Sequence, residues 1–281
     1  MQIEGAMILS QNAATANQPT RAPHGVRIKT IALPAEHGGW GLLFEPIALG
    51  LLLAPSVAGF YLAFSAVGLF LARHPLTLVV MNRRRPSARN ALAKRFAAIY
   101  LIIGAASFIA AIAFTQHPFF MPLVIAAPLA VVQLAHDWTG RRRVLLPELA
   151  AAIAISSLAP AIAFAGGYAS RQAFALWFVM IARAVPSILY VRGCLARLHR
   201  RPVSISPILI SQVVALLMVT LLAGAKLVPL LAVAAVVLLL IRAVIGFTRR
   251  ENMTPKQLGF GEIFFGALTV LAVVLGTILE L

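Results

Sequence analysis

Residues 57–95 read VAGFYLAFSAVGLFLARHPLTLVVMNRRRPSARNALAKR, an apolar stretch of helical length running into a loop with seven basic and no acidic residues. The apolar part is long enough to cross a hydrocarbon core of about 30 Å as a helix. Bases without acids beside such a span mark the cytosolic face of a membrane protein. The pattern repeats along the chain. Nine spans are expected, at 36–56, 57–81, 96–115, 118–136, 147–166, 172–192, 205–224, 227–247 and 260–279. Of the 24 Lys and Arg residues, 21 group with the loops on one side. Arg171 and Lys226 fall opposite, and Arg183 lies within a span. The expected protein is all-α, a multi-pass bundle in an inner (plasma) membrane, with the N-terminus cytoplasmic and the C-terminus outside.

Composition points the same way. The chain is 61% hydrophobic and 11% charged with a mean hydropathy of +0.93, more apolar than a water-soluble fold could hide. A net charge of +16 would suggest nucleic acid in a soluble protein. Here the bases occupy short juxtamembrane loops, so anionic lipid headgroups are the nearer counter-ions and no nucleic-acid partner is expected. The single cysteine, Cys194, excludes an internal disulfide, and six histidines without a closely spaced ligand pair argue against structural zinc. Residues 1–34 are polar and read as a flexible cytosolic tail ahead of one transmembrane domain, 35–281.

The eight acids are scarce enough to read individually. Glu36, Asp137, Glu148, Glu251 and Glu262 fall at the expected cytosolic ends of spans. They either complement the positive ends of helix dipoles or line a cytosolic chamber together with arginines. Glu45 lies deeper, about nine residues into the first span, and Arg183 lies at a similar depth in the sixth. An arginine in the middle of a membrane helix costs at least about 2.5–3.5 kcal/mol on insertion scales, so it should face a protein interior or a wet cavity, with Glu45 as a candidate partner. Arg183, Ser187, Tyr190, Cys194 and Arg197 follow helical spacing and share one face, which Pro186 could kink. At the start of the first span, LPAEHGGWGLLFEPIALG (33–50) combines glycines for close backbone approach with the interfacial anchor Trp40. His37 is the group there that titrates near neutral pH.

The PAEHGGWG opening resembles the YwiC-like family of bacterial membrane proteins. So do the RHPLTLVVMNRRRP stretch, RRRVLLPELAAAIAISSLAP at the fifth span and YVRGCLARLHRRP after the sixth, and the likeness extends over residues 30–280. More distantly, nine helices, an NRRRP string at 82–86 and a basic loop leading to Pro147 and Glu148 look like UbiA-type prenyltransferases. That resemblance implies a bundle binding, and in an enzyme transferring, an isoprenoid or similar anionic lipid at a basic cytosolic pocket. It implies substrate contacts at Arg73, His74, Asn82, Arg83, Arg183, Tyr190, Arg192 and Arg197, proton acceptance by His37 or Glu45, and support from Glu36, Asp137, Glu148 and Glu262. UbiA-type enzymes hold Mg²⁺ on Asp-rich motifs. Here Asp137 is the one Asp, so no Asp-x-x-x-Asp pair exists, Mg²⁺ is not expected and no metal ligands are assigned. Arginines can bind phosphate directly instead. A non-catalytic lipid or quinone carrier and an accessory membrane subunit are the alternatives.

Overall fold

The computed structural model describes residues 29–33, 37–81, 87–138, 144–248 and 254–280. Eleven helices account for them: α1 Lys29–Ala32, α2 His37–Leu53, α3 Val57–Met81, α4 Ala88–Ala113, α5 Phe120–Trp138 and α6 Leu145–Ser156, then α7 Leu158–Ala165, α8 Ser170–Leu198, α9 Ser206–Gly224, α10 Leu230–Thr248 and α11 Pro255–Ile278. Among the described residues eight helical stretches are long and apolar enough to cross a membrane, with α6 and α7 counting as one pass. The 17-residue α2 is the short one, reaching about 25 Å. Where nine spans were expected, the described residues thus hold eight helical stretches of spanning length and one shorter apolar helix.

The break between α6 and α7 falls at Ser156-Ser157 and has a local cause. Both hydroxyls turn back on the helix, Ser156 Oγ donating to the Ala152 carbonyl (2.7 Å) and Ser157 Oγ to that of Ala154 (2.6 Å). Pro160, three residues on, has no N–H to offer the Ser156 carbonyl. The interruption stays inside the bundle. Of the most apolar windows, 61% of α6–α7 and 67% of α8 are buried against 17% of α4, so α6 to α8 form the centre and α4 the rim. Ile102, Leu221 and Ile278 are among the exposed large side chains on outward faces, where lipid solvates them.

Small residues set the helix spacing. A Cβ on Gly68 would meet the Gly104 backbone nitrogen at 3.0 Å, which shows how closely α3 and α4 approach. Gly167 takes φ +82° and turns the chain from α7 toward α8.

Two expectations need refining. Residues 29–33, the end of the segment read as a tail, include α1. Its Ile31 is fully buried, its Ala32 carbonyl accepts from the Tyr100 hydroxyl (3.2 Å), and its Thr30 carbonyl accepts from His74 Nε2 (3.1 Å). Residues 1–28 and 34 lie outside the described residues. Arg242, grouped above with the cytosolic bases, lies within α10, so Arg183 has a second arginine for company inside the bundle.

Candidate functional site

Arg183 on α8 is 1% exposed, and burial this complete requires partners on every side. Its Nη2 donates to Glu45 Oε1 on α2 (3.1 Å) and to the Glu262 carbonyl on α11 (2.7 Å). Its Nη1 donates to Glu262 Oε2 (3.0 Å) and to Ser187 Oγ one turn along α8 (2.5 Å). The other oxygen of Glu262 accepts from Arg242 Nη1 (2.7 Å). The Arg242 guanidinium lies 4.4 Å from the Tyr190 ring centre and 4.6 Å from that of Phe265, so ring faces supply the rest of its environment. Two arginines and two glutamates from four helices thus form one charge-balanced cluster. Helix α11 admits it at Gly266, where any Cβ would overlap the Glu45 carboxylate.

Three members of the cluster, Glu45, Arg183 and Glu262, line a cavity of about 400 Å³. Its lining comes from the N-terminal parts of α2, α6 and α11 and the C-terminal parts of α3, α5 and α8, which in an up-and-down bundle is one end of the molecule. The polar lining comprises Glu45, Arg73, Gln133, Glu148, Arg183, Ser187 and Glu262; Leu42, Phe70, Ile155, Ile188, Leu258 and Ile263 are among the apolar residues. Arg183 Nε has no hydrogen-bond partner among the described residues.

At the cavity edge a second pairing repeats the chemistry. Arg73 makes a two-pronged bond to Asp137, Nε to Oδ2 at 2.6 Å and Nη2 to Oδ1 at 3.0 Å, and the carboxylate is almost fully buried. Gln133, its amide oriented to satisfy both neighbours, accepts from Arg73 and donates to the Pro147 carbonyl (3.1 Å). Arg192 Nη1 donates to Glu148 Oε2 (2.6 Å) in a pair that is more than a third exposed on both sides.

The expected site residues therefore separate. Glu45, Arg73, Arg183, Glu148 and Glu262 line the cavity, and Asp137 stands behind Arg73. Arg192 lines a different and wider groove of about 720 Å³ with His199, Arg201 and Pro202. Arg197 is drawn away from both, 4.4 Å over the Phe247 ring and donating to the Gly246 and Phe247 carbonyls (3.3 and 3.4 Å) near the C-terminal end of α10. Tyr190 packs against Arg242 and Phe247, and His74 turns to α1. Glu36, Asn82 and Arg83 lie outside the described residues; of His37 only the backbone, opening α2, is described. Glu262 does more than offset a helix dipole, since it joins both buried arginines. Arg242 is the member of the cluster that sequence reasoning missed. Its signal was a base inside the eighth span with an acid just inside the ninth.

The donor set does not fit a Mg²⁺ site. Glu45, Asp137, Glu148 and Glu262 each have an arginine within 2.6–3.1 Å. Among the described residues no group of three or more His, Cys, Asp or Glu is placed to hold a metal ion. The acids serve the arginines here, and the described cavity lining carries three glutamates and two arginines where a basic one was expected.

Comparison with known proteins follows the same lines. The family model for "YwiC-like protein" matches residues 33–163, the part that carries α2 to α6, Glu45, Arg73, Asp137 and Glu148. No curated protein sequence matches the chain. A solved structure reported under the biosynthesis of digeranylgeranylglyceryl phosphate synthase in membranes superposes with a TM-score of 0.57 at 13% identity, over 85% of this chain and 94% of that one. At that identity the likeness establishes the fold. This chain is a multi-pass membrane protein, similar to the YwiC-like family over residues 33–163 and UbiA-like in architecture.

Proposed function

We propose that this protein binds an isoprenoid lipid in the cavity bounded by Arg183, with the lipid head against the charged cluster and the chain along the apolar walls. One observation supports this above the others: a cavity of about 400 Å³ has a polar inner wall and largely apolar sides, at one end of a bundle similar in fold to digeranylgeranylglyceryl phosphate synthase. Mass spectrometry of lipid co-purified with the protein tests it. An isoprenoid enriched over the membrane average is the expected result; bulk phospholipid alone would refute the reading.

In this reading residues 35–281 act as one membrane domain in an inner (plasma) membrane, with the cavity toward the cytosol. The support is the excess of bases beside the ends of α3, α8 and α10. Reporter fusions at the two termini should place the N-terminus inside and the C-terminus outside. Both termini on one side would refute it.

A second reading, transfer of the isoprenoid to an acceptor, is favoured by the extent of the fold likeness, 85% of this chain. No reaction step through Mg²⁺ can be derived from the described residues. A prenylated product formed from prenyl diphosphate and an aromatic acceptor, and lost in Glu45→Gln, would establish transfer.

A further inference from the structure

We infer that the wide groove between the N-terminal end of α6, the C-terminal end of α8 and the start of α9 binds one anionic phospholipid, with the phosphate on Arg201 and Arg192 and the acyl chains on the apolar floor. This space is separate from the isoprenoid cavity, and the inference stands or falls without that reading.

The groove measures about 720 Å³, and its bases are Arg192, His199 and Arg201. All three can be reached from outside. Arg201 and His199 are exposed, and 38% of the Arg192 side chain is exposed. The Arg201 guanidinium has no partner among the described residues. His199 Nδ1 donates to the Leu195 carbonyl (2.7 Å), which leaves Nε2 for a ligand. Arg192 is paired with Glu148, but that pair is hydrated on both sides, so a phosphate can share the guanidinium without stranding a buried carboxylate.

The end of α8 is shaped to present Arg201. Arg200 takes φ +55°, the left-handed position that glycine usually fills after a helix. Around it Arg200 N donates to the Arg197 carbonyl and Arg201 N to that of Ala196 (2.9 Å each), the two bonds of a Schellman turn. Arg201 and the residues after it, Pro202, Val203 and Ser204, thereby become groove wall.

The positive character belongs to the whole sequence around the groove. Nearly all of the lining comes from 189–208, a stretch without one acid. From 139 to 256, described or not, the chain carries two acids, Glu148 and Glu251, against 14 Lys and Arg. Guanidinium groups suit phosphate oxygens, and bases at the membrane surface attract anionic lipid. The apolar part of the groove selects a lipid over a soluble phosphate. Leu189, Leu195, Val203 and Ile208 line it, and Leu198, Ile205 and Ile210, close by in the chain, are exposed for the acyl chains to follow.

Native mass spectrometry of the full-length protein tests the site with dioleoyl phosphatidylglycerol, dioleoyl phosphatidylcholine and glycerol 3-phosphate. One phosphatidylglycerol should be retained per protein, at least about ten-fold more tightly than phosphatidylcholine. Arg201→Gln should weaken it about five-fold, and Arg192→Gln together with Arg201→Gln more than about ten-fold. Arg89→Gln with Arg95→Gln removes the same charge from the rim helix α4 and should change affinity less than about two-fold. Equal weakening by the two pairs would mean attraction to the basic surface in general and would overturn the site. Equal retention of phosphatidylcholine would overturn recognition of a negative head. Displacement by glycerol 3-phosphate at a concentration equal to the lipid's would make a soluble phosphate the occupant. Ser204→Glu keeps every base and adds a carboxylate to the exposed groove wall, so it should weaken binding as Arg201→Gln does. Full affinity in that variant, at the wild-type melting temperature, would place the phospholipid elsewhere and overturn the assignment.

Discussion

Two arginine–glutamate contacts on the same helix, α8, differ in little but their surroundings. Arg183 meets Glu45 at 3.1 Å and Glu262 at 3.0 Å with its side chain 2% exposed; Arg192 meets Glu148 at 2.6 Å with 38% and 41% of the two side chains exposed. The shorter contact should be the weaker one. Partly hydrated ions lose little when separated, whereas a buried arginine stripped of its acid has nothing to replace it. Distance alone is a poor guide to which ion pairs hold this bundle together.

Breaking the buried side should have the largest effect. Arg183→Gln leaves two glutamates facing each other in the bundle and should cost about 3–5 kcal/mol, seen as a collapse of the melting temperature in detergent. Glu45→Gln should also destabilise, and the double variant should lose less than the sum of the two. Additive losses would show that the contact contributes nothing of its own. Arg73→Gln tests a mixed case, since the arginine is partly exposed but Asp137 is buried. A loss of about 3 kcal/mol is expected from the loss of the two-pronged bond to a buried carboxylate, and a loss below about 1 kcal/mol would mean that Asp137 is satisfied without Arg73.

Gly266→Ala disturbs the buried cluster without removing a charge. The added methyl overlaps the Glu45 carboxylate, so overpacking of about 1–3 kcal/mol should outweigh the helix-propensity gain of up to about 1 kcal/mol. A stabilised variant would mean that Glu45 can leave Arg183 at no cost. Smallest of all, Arg192→Gln should change stability by at most about 1 kcal/mol and by less at high salt. A loss as large as that of Arg183→Gln would erase the distinction between the two regions.

How much of this was legible in the sequence varies with the range of the interaction. The partnership of Glu45 with Arg183 could be read from depth, because two opposite charges in apolar helices at similar heights each need a partner. The third and fourth members could not be placed as easily. Glu262 sits about two turns into α11, near the start of its apolar run, where a dipole complement and a buried bridge look alike in sequence. Arg242 is six residues from the end of α10, near enough to the basic loop to be counted with it. Arg73 and Asp137 were both expected at the site, but as substrate contact and support; the structure pairs them with each other.

The sequence by itself determined the all-helical membrane class and the presence of a charged interior. Span length, hydropathy and the scarcity of acids are local properties, and lipid leaves few structures that satisfy the polar groups of the backbone. Only the tertiary structure decided which acid neutralises which arginine, and that Arg192 and Arg197 turn to a separate groove and to the end of α10. Those outcomes depend on how α2, α8, α10 and α11 rotate about their own axes as they pack. Small residues such as Gly266 set that rotation by permitting a contact that one methyl group would forbid.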